Sequence, residues 1–397
     1  MGETLKKRMP LPFVAFAAAI MLAGCILENI NGRFSLYDFK VYYEASHAML
    51  NGSQVYGEPF SLGSGYYKYS PFTGLLFAPL SLLPYKIACL IQYGILVFAA
   101  IAMLIMTYRI VSEYLFDSKL KSVSLFLSVV FICFIIHLVR ELHLGNINLV
   151  LLLLLVLSLQ SILHKRYLLA GFLLALVVIT KPFFVLLLMP LVLHKYFKVV
   201  LSLCVSLIVF VLLPIMVLGF SKNLELHKAW LETMVGHADA FPSNNTLDAI
   251  INRYAFNSMH NSMQYVILFS ICIAYLLLFY FIKRNRTEQL LKMDFVMEWF
   301  LIIALMPTIF RTDTQHFLLS VPIILFTCYY LFTSRNVWAI SLFGISILMY
   351  DINSTDLLGK DLSAHVNEMG ILGISNIIIV TMALAVYFKK IRTKSNT

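Results

Sequence analysis

Charged residues are scarce in this chain, and their scarcity excludes most soluble folds. Only 13% of the 397 residues are Asp, Glu, Lys or Arg, whereas 60% are hydrophobic. A typical soluble domain carries about twice that share of charge. The mean hydropathy of +0.86 is typical of a chain that lies in a bilayer. We therefore predict an all-α polytopic membrane protein, folded as a single integral membrane domain over residues 1–397.

Metal-binding and disulfide patterns are missing as well. The six cysteines lie within or beside apolar stretches, and none has C-x-x-C spacing. The ten histidines include no H-x-x-x-H pair. We therefore predict neither a metal site nor a cofactor. Cys25 ends a Leu-Ala-Gly-Cys string that resembles a lipoprotein signal, although an uncleaved first helix agrees better with a chain anchored by many further crossings.

Apolar runs predict where the chain crosses the membrane, because a helix needs about 20 residues to do so. The runs lie near residues 10–29, 87–108, 121–139, 147–163, 197–219, 263–283, 294–310, 317–333, 336–350 and 370–389. The stretch 167–193 is broken by Lys181 and Pro182, so we predict two short crossings there. We therefore expect about 11–13 transmembrane helices, twelve by this count.

The basic residues set the predicted orientation. With a cytoplasmic N-terminus, 19 of the 30 Lys and Arg residues and 6 of the 20 acids lie inside. The net charge of +10 then follows from the positive-inside rule and requires no nucleic acid. The basic face suits anionic membrane lipids. We expect a multi-pass protein of a bacterial inner membrane with both termini cytoplasmic, and outer-face segments at 30–86, 220–262 and 351–369.

The first outer segment is dense in tyrosine and predicts structure at the membrane surface. Apolar residues recur at helical spacing over 39–50, which indicates an amphipathic interfacial helix. Residues 71–84 are apolar but too short to span a bilayer, so they fit a re-entrant or interfacial segment. The tyrosines suit an aromatic belt, and equally contacts to carbohydrate or polyprenyl groups; Tyr42 and Tyr43 are candidates for sugar or acceptor binding.

Asp38 is the candidate catalytic residue. It lies just after the first predicted span, where a carboxylate could accept the proton of an acceptor hydroxyl that attacks a sugar. It also immediately precedes the predicted interfacial helix, so a helix N-cap explains its position equally well. We expect a catalytic Asp38 to share an outer cleft with Lys181, Arg253 and the 311–316 turn.

Further polar residues fall on the predicted outer side. Lys181 requires an anionic partner or a wet cavity, and a lipid-linked phosphate is one such partner; a snorkelling lysine is the alternative. Arg253 and Arg311 could share that phosphate. The candidates for sugar or acceptor binding are His143, Asn146, Asn148, Asn245 and His316. Plain polar turns, a helix cap and a solvated hairpin are the alternatives for these five.

Several strings together resemble glycosyltransferase family 87. This is the family of polyprenol-phosphate-mannose-dependent α-mannosyltransferase-like proteins, which have the membrane-embedded C-type glycosyltransferase fold. The strings are Asp38 to Tyr43, Tyr66 to Pro71, Phe77 to Leu80, Gly145 to Asn148, Lys181-Pro182, Asn245 to Leu247 with Arg253, and Pro307 to His316. The resemblance implies an interfacial helix in the first outer loop, Asp38 as the base and basic residues on a donor phosphate.

The resemblance also implies the reaction. It is the inverting transfer of a sugar, mannose in the family, from a polyprenyl-phosphate donor to a glycan or glycolipid acceptor of the cell envelope, without a metal. Two alternatives stay open. A transporter or lipid-linked sugar flippase would also place Lys181 at a broken helix, and a non-catalytic assembly subunit could retain the strings with a degenerate site.

Overall fold

The protein is helical throughout the part that can be described. The computed structural model describes residues 9–61, 65–116, 118, 120–240, 244–255, 266, 270, 274, 287–334 and 336–395. Within these ranges there is no β-strand, and a single bridge joins Pro59 to Tyr66. The all-α fold class predicted from composition is therefore confirmed.

The helices are numbered here in chain order. They are α1 (Leu11–Ile30), α2 (Tyr37–Leu50), α3 (Pro71–Leu76), α4 (Ala78–Ser81), α5 (Tyr85–Ile110), α6 (Val123–Ile132), α7 (Ile135–Leu144), α8 (Asn148–Leu163), α9 (Tyr167–Thr180), α10 (Leu188–Leu193), α11 (Phe197–Leu212), α12 (Ile215–Leu218), α13 (Phe220–Ala240), α14 (Leu247–Tyr254), α15 (Glu288–Ile309), α16 (Val321–Ser334), α17 (Val337–Asp351), α18 (Thr355–Glu368) and α19 (Ile371–Ser395). A π-helical turn, Val111–Phe116, extends α5, and 3-10 turns, Pro182–Leu187 and Thr314–Ser320, precede α10 and α16.

Five helical stretches in the described part are long and apolar enough to cross a bilayer. They are Leu11–Ile30, Tyr85–Phe116, Phe197–Leu218, Thr314–Ser334 and Ile371–Arg392. The shorter apolar helices are Asn148–Leu163, Tyr167–Thr180, Pro182–Leu193 and Val337–Asp351. The protein is thus a polytopic membrane protein. The expected total of 11–13 crossings stays a prediction, and the predicted span 263–283 lies almost wholly outside the described residues.

The chain bends within the predicted span at 121–139. The chain breaks after α6 and continues as α7 at an angle of 68°. The reason is visible in α7, where His137 and Glu141 are buried against protein partners and Arg140 donates to Thr314 and to the Asn353 carbonyl oxygen, both at 2.5 Å. Such side chains are stable in a membrane protein only where other protein groups satisfy them.

The predicted break at Lys181 and Pro182 is confirmed. Helix α9 ends at Thr180, and Pro182 begins a 3-10 turn because its ring cannot continue the α-helical hydrogen bonding. Small residues let α9 pack closely on its neighbours: a Cβ at Gly171 would lie 2.5 Å from the Val199 carbonyl oxygen. Ser158 Oγ donates to the Ala170 carbonyl oxygen at 2.9 Å. Close backbone approach and interhelical hydrogen bonds are the usual means of helix association in lipid.

The segment at 30–86 forms helices where the sequence predicts them. Helix α2 covers the predicted amphipathic stretch, and residues 71–84 form the short helices α3 and α4. Aromatic rings join these elements: Tyr42 lies with its ring centroid 5.0 Å from that of Phe77 and 5.3 Å from that of Tyr69. The packing makes α2, α3 and the tyrosine-rich loop between them one unit, and it fixes the direction in which α2 presents its first turn.

The orientation in the membrane stays a prediction. Several basic residues on which it depends, Lys6, Lys7, Arg8, Lys283, Arg284 and Arg286, lie outside the described residues. Cys25 is buried within the continuous helix α1, and Asn29 Nδ2 donates to its carbonyl oxygen at 2.9 Å.

Candidate functional site

Asp38 lies in the first turn of α2 and does not cap it. The N-cap is Leu36, two residues earlier, and no side chain caps this helix end. The Asp38 carboxylate instead accepts a hydrogen bond from Asn146 Nδ2 at 2.6 Å. The N-cap explanation of Asp38 is therefore wrong, and its carboxylate is left half-buried, facing the turn between α7 and α8.

The backbone two residues before Asp38 is held in an unusual conformation. Leu36 has a φ of +42°, which costs energy for a residue with a side chain and persists only where packing enforces it. Its side chain is almost fully buried, and Tyr85 donates its hydroxyl to the preceding carbonyl oxygen, of Ser35, at 2.5 Å. These contacts hold the start of α2 in place, and Asp38 with it.

The asparagine that contacts Asp38 is oriented by its own neighbour. The Ile147 backbone N–H donates to Asn146 Oδ1 at 2.7 Å, which leaves Nδ2 as the end that faces the carboxylate. Gly145, just before it, has a φ of +70°, and a Cβ there would lie 2.8 Å from Leu36 Cβ and 2.9 Å from Phe39 Cβ. Only glycine allows the α7–α8 turn to approach α2 closely enough for this hydrogen bond.

Asp38 opens into a cleft of about 200 Å³. Its walls come from four parts of the chain. Helix α2 contributes Asp38 and Tyr42, the tyrosine-rich loop contributes Lys68 and Tyr69, and the turns after α7 and after α15 contribute Asn146 with Asp313 and Gln315. The volume suits a single sugar unit rather than an extended glycan. Two carboxylates, one cation and several hydroxyl and amide groups therefore meet in one small space.

The cleft alters the acidity of its charged groups. Burial raises the pKa of Asp38 above its usual range, the hydrogen bond from Asn146 partly offsets the rise, and the negative charge of Asp313 adds to it. Burial lowers the pKa of Lys68, against the opposing effect of Asp313 and Asp38. A carboxylate with a raised pKa is a stronger base once it is ionised.

Two tyrosines of the cleft, Tyr42 and Tyr69, remain neutral hydroxyl groups. Burial raises the pKa of Tyr42 well above its usual value, and its hydroxyl lies 3.2 Å from that of Tyr69. Tyr43 points away from the cleft and donates to the Leu83 carbonyl oxygen at 2.7 Å. Both predicted sugar-binding tyrosines belong to α2. The structure brings Tyr42 into the cleft, whereas Tyr43 lies outside it, against Leu83.

Three further predicted residues meet directly behind the cleft. Lys181 Nζ donates to Asn148 Oδ1 and to His316 Nε2, both at 2.6 Å, and all three side chains are buried. Lys181 lies 5.8 Å from the centre of the Tyr69 ring. It is neither a snorkelling lysine nor a residue of the cleft wall, and His316 is not part of a solvated hairpin.

The remaining predicted residues lie elsewhere. His143 Nδ1 is 3.1 Å from Glu28 Oε2, and its ring packs edge-on against Tyr37 at the cleft margin. Asn245 donates to Asn367 Oδ1 at 3.1 Å and accepts from the Gly373 N–H at 3.2 Å, which ties α14 to α18 and α19. Arg311 lies 3.8 Å from Asp248, and Arg253 is exposed on α14. None of these four lines the cleft.

Sequence reasoning missed Lys68 and Glu141 as site residues. Lys68 lies in the string Tyr66 to Pro71, which stands out for its tyrosines, and a lone cation among aromatics is itself a signal of an anion-binding surface. Glu141 is fully buried, and a carboxylate between the predicted apolar runs 121–139 and 147–163 requires a partner if it is buried. In the described part of the chain no three His, Cys, Asp or Glu residues could hold a metal ion together; the metal-independent reaction stays a prediction.

Comparison with protein families gives this geometry its context. A model described as glycosyltransferase family 87 matches residues 67–309, more than half of the chain. The chain belongs to glycosyltransferase family 87. A search of curated proteins found no match. The matched range contains Lys68, Asn146 and Lys181, whereas Asp38 lies before it and Asp313 after it, so the roles of these two residues depend on the structure.

Proposed function

We propose that this glycosyltransferase moves a sugar, mannose, from a polyprenyl-phosphate donor to a glycan or glycolipid acceptor at the outer face of the membrane, with inversion at the anomeric carbon. The observation that carries the proposal is the Asp38 carboxylate. It faces a small polar cleft and is oriented by Asn146 at 2.6 Å. A carboxylate that faces a polar cleft and is held in place by a neighbouring amide has the geometry expected of a general base.

Asp38 acts as the general base. As the acceptor oxygen forms its bond to the anomeric carbon, Asp38 takes the proton of the acceptor hydroxyl. The bond between that carbon and the phosphate oxygen breaks, and its electron pair leaves with the polyprenyl phosphate. Attack from the face opposite the phosphate inverts the configuration in one step. The raised pKa of Asp38 favours proton uptake.

Lys68 stabilises the leaving phosphate. It is the lysine of the cleft wall, and its ammonium can offset the negative charge that accumulates on the phosphate oxygens as the bond breaks. The hydroxyls of Tyr42 and Tyr69 and the amide of Gln315 offer hydrogen bonds to sugar hydroxyls in the same space. Lys181, Arg253 and Arg311 do not line this cleft, so the proposal assigns the donor phosphate to Lys68 rather than to these three residues.

Asp38→Asn tests the proposal. Membranes from cells that lack the gene, supplied with either form of the protein, are incubated with radiolabelled polyprenyl-phosphate mannose, and label in glycan and glycolipid fractions is measured. Because a general base contributes about 10²- to 10⁴-fold, we expect a loss of that size at equal protein level. Asp361→Asn is the matched control, since Asp361 is exposed on α18 and outside the cleft.

Two outcomes would count against the proposal. Unchanged transfer by Asp38→Asn would remove the base from the mechanism. Movement of labelled lipid across the membrane without consumption of the donor would favour a transporter or flippase instead.

A further inference from the structure

Four buried polar side chains behind the cleft form one connected unit, called here the buried charge unit: Glu141, Asn148, Lys181 and His316. Asn148 Nδ2 donates to Glu141 Oε2 at 2.9 Å, and Asn148 Oδ1 accepts from Lys181 Nζ at 2.6 Å. Lys181 Nζ also donates to His316 Nε2 at 2.6 Å. One anion and one cation are thus bridged by an amide in the interior of a membrane protein.

Through Glu141, the unit holds the α7–α8 turn, which carries Asn146 and is called here the first wall of the cleft. The backbone oxygen of Glu141 accepts from the Gly145 N–H at 2.9 Å, and its carboxylate accepts from Asn148 and from the Leu149 N–H. Both ends of the turn that carries Asn146 are therefore bound to one residue. Since Asn146 orients Asp38, the position of Glu141 is transmitted to the carboxylate of the proposed base.

Through His316, the unit holds the turn that carries Asp313 and Gln315, called here the second wall of the cleft. Because Nε2 accepts from Lys181, the ring proton is assigned to Nδ1, which donates to the Asp313 carbonyl oxygen at 3.1 Å. The His316 N–H donates to the same oxygen at 3.0 Å. Asp313 and Gln315, which line the cleft, lie at the start of this 3-10 turn. Lys181 is therefore the point at which the second wall is tied to the first.

We propose that Glu141 and Lys181 are paired positioning residues, which hold the two cleft walls, and so Asp38 and Asp313, at a set separation. The pair is charge-compensated inside the protein, so this role is separable from the direct phosphate contact that the sequence suggests for Lys181. Removal of either charge takes away the main counter-charge of the other, which remains buried, and this is more disruptive than removal of both. The kinetic part of this proposal rests on the proposed function; its structural part does not.

The structural part is tested by hydrogen–deuterium exchange on the full chain in lipid nanodiscs. We expect Lys181→Met and Glu141→Gln to increase uptake in two peptides at once, 144–149 and 312–318. The double variant Glu141→Gln/Lys181→Met should melt at a higher temperature than Lys181→Met alone. Glu298→Gln is the matched control: Glu298 is a mostly buried carboxylate that His194 contacts at 2.9 Å on α15, outside the cleft, and it should leave both peptides unchanged.

The kinetic part is tested with the same variants and polyprenyl-phosphate mannose. Misplaced catalytic groups lower kcat, so we expect a fall of about 10- to 100-fold, with the donor KM within about twofold of wild type. A raised donor KM with unchanged kcat in Lys181→Met, or increased uptake in one peptide only, would overturn the proposal. If the wild type transfers no sugar, the proposed function fails, and the exchange experiment still decides whether the pair holds both walls.

Discussion

Asn146 donates a hydrogen bond to the Asp38 carboxylate across 2.6 Å, and the same amide is held from behind by the Ile147 N–H at 2.7 Å. The partner of Asp38 is therefore a neutral donor fixed by the backbone rather than a mobile cation. Such a donor favours the ionised carboxylate and orients it without neutralising it. The acidity of the proposed base should thus depend on residue 146 in a predictable direction.

Asn146→Ala is expected to move the pH dependence of transfer. The hydrogen bond from Asn146 lowers the pKa of Asp38, while burial raises it. Without the amide the pKa rises further, and because the base works only when ionised, the acidic limb of kcat/KM against pH should shift to higher pH. Rate profiles with one donor at saturating acceptor measure the shift.

Asn148→Ala is a useful comparison for that profile. Asn148 is bonded to Glu141 and Lys181 and does not touch Asp38, so its loss should lower the rate with a smaller shift of the limb. An acidic limb that stays in place in Asn146→Ala would show that Asp38 does not titrate in the rate-limiting step.

Lys68→Met is expected to weaken use of the donor. Lys68 is the lysine of the cleft wall, and hydrogen bonds to a charged group contribute about 1.5–3 kcal/mol, so kcat/KM for the donor should fall by about 10- to 150-fold. The loss should be smaller at high ionic strength, where screening already weakens the wild-type contact. Initial rates at several donor and salt concentrations are the measurement.

Lys40→Met provides the matched control for Lys68. Lys40 belongs to the same segment, 30–86, and lies on α2, but it does not line the cleft. Equal losses in the two variants would point to a general effect of surface charge on donor capture instead of a contact in the cleft.

Much of the architecture was predictable because it follows from hydropathy and from helix breakers. Helix α2, the short helices α3 and α4, and the break at Lys181 all arise from local features: amphipathic spacing, an apolar run of limited length and a proline. The bend between α6 and α7 was not predictable in this way. It depends on partners of Arg140 that come from the distant residues Thr314 and Asn353.

The candidate site was likewise predictable only where it depends on local sequence. Asp38 and Asn146 were found as candidates because polar residues beside apolar helices are conspicuous, but nothing local shows that Gly145 lets their two segments touch. Lys181 and Arg253 were conspicuous for the same reason, yet Lys181 is bonded inside the protein and Arg253 is exposed on α14. Residue type identified the polar groups, and only tertiary packing decided which of them face one another.

Gly145→Ala should damage both folding and transfer. A Cβ at this position meets two Cβ atoms at 2.8 and 2.9 Å, which cannot move without the backbone of α2, and the φ of +70° disfavours alanine by about 1 kcal/mol. We expect a destabilisation of about 2 kcal/mol or more, measured by thermal unfolding in detergent, together with slower transfer.

Gly52→Ala separates the steric contact of the new Cβ from the conformational cost of a positive φ, the two causes expected at position 145. Gly52 has a φ of +71°, but no atom lies within 4 Å of the place that an alanine Cβ would take. Alanine there should therefore show only the conformational cost and leave transfer unchanged. Similar effects of the two variants would mean that the close approach of the α7–α8 turn to α2 is unimportant.

A side chain of α13 also holds the loop that carries Lys68. Trp230 Nε1 donates to the Lys68 carbonyl oxygen at 3.2 Å. Trp230→Phe keeps an aromatic ring and removes the donor, so the free energy lost is about 1 kcal/mol and kcat/KM for the donor should fall by about fivefold. Trp338→Phe is the control, because Trp338 is 86% exposed on α17. A loss in Trp230→Phe that persists in the Lys68→Met background would show that α13 acts on the cleft by a route other than Lys68.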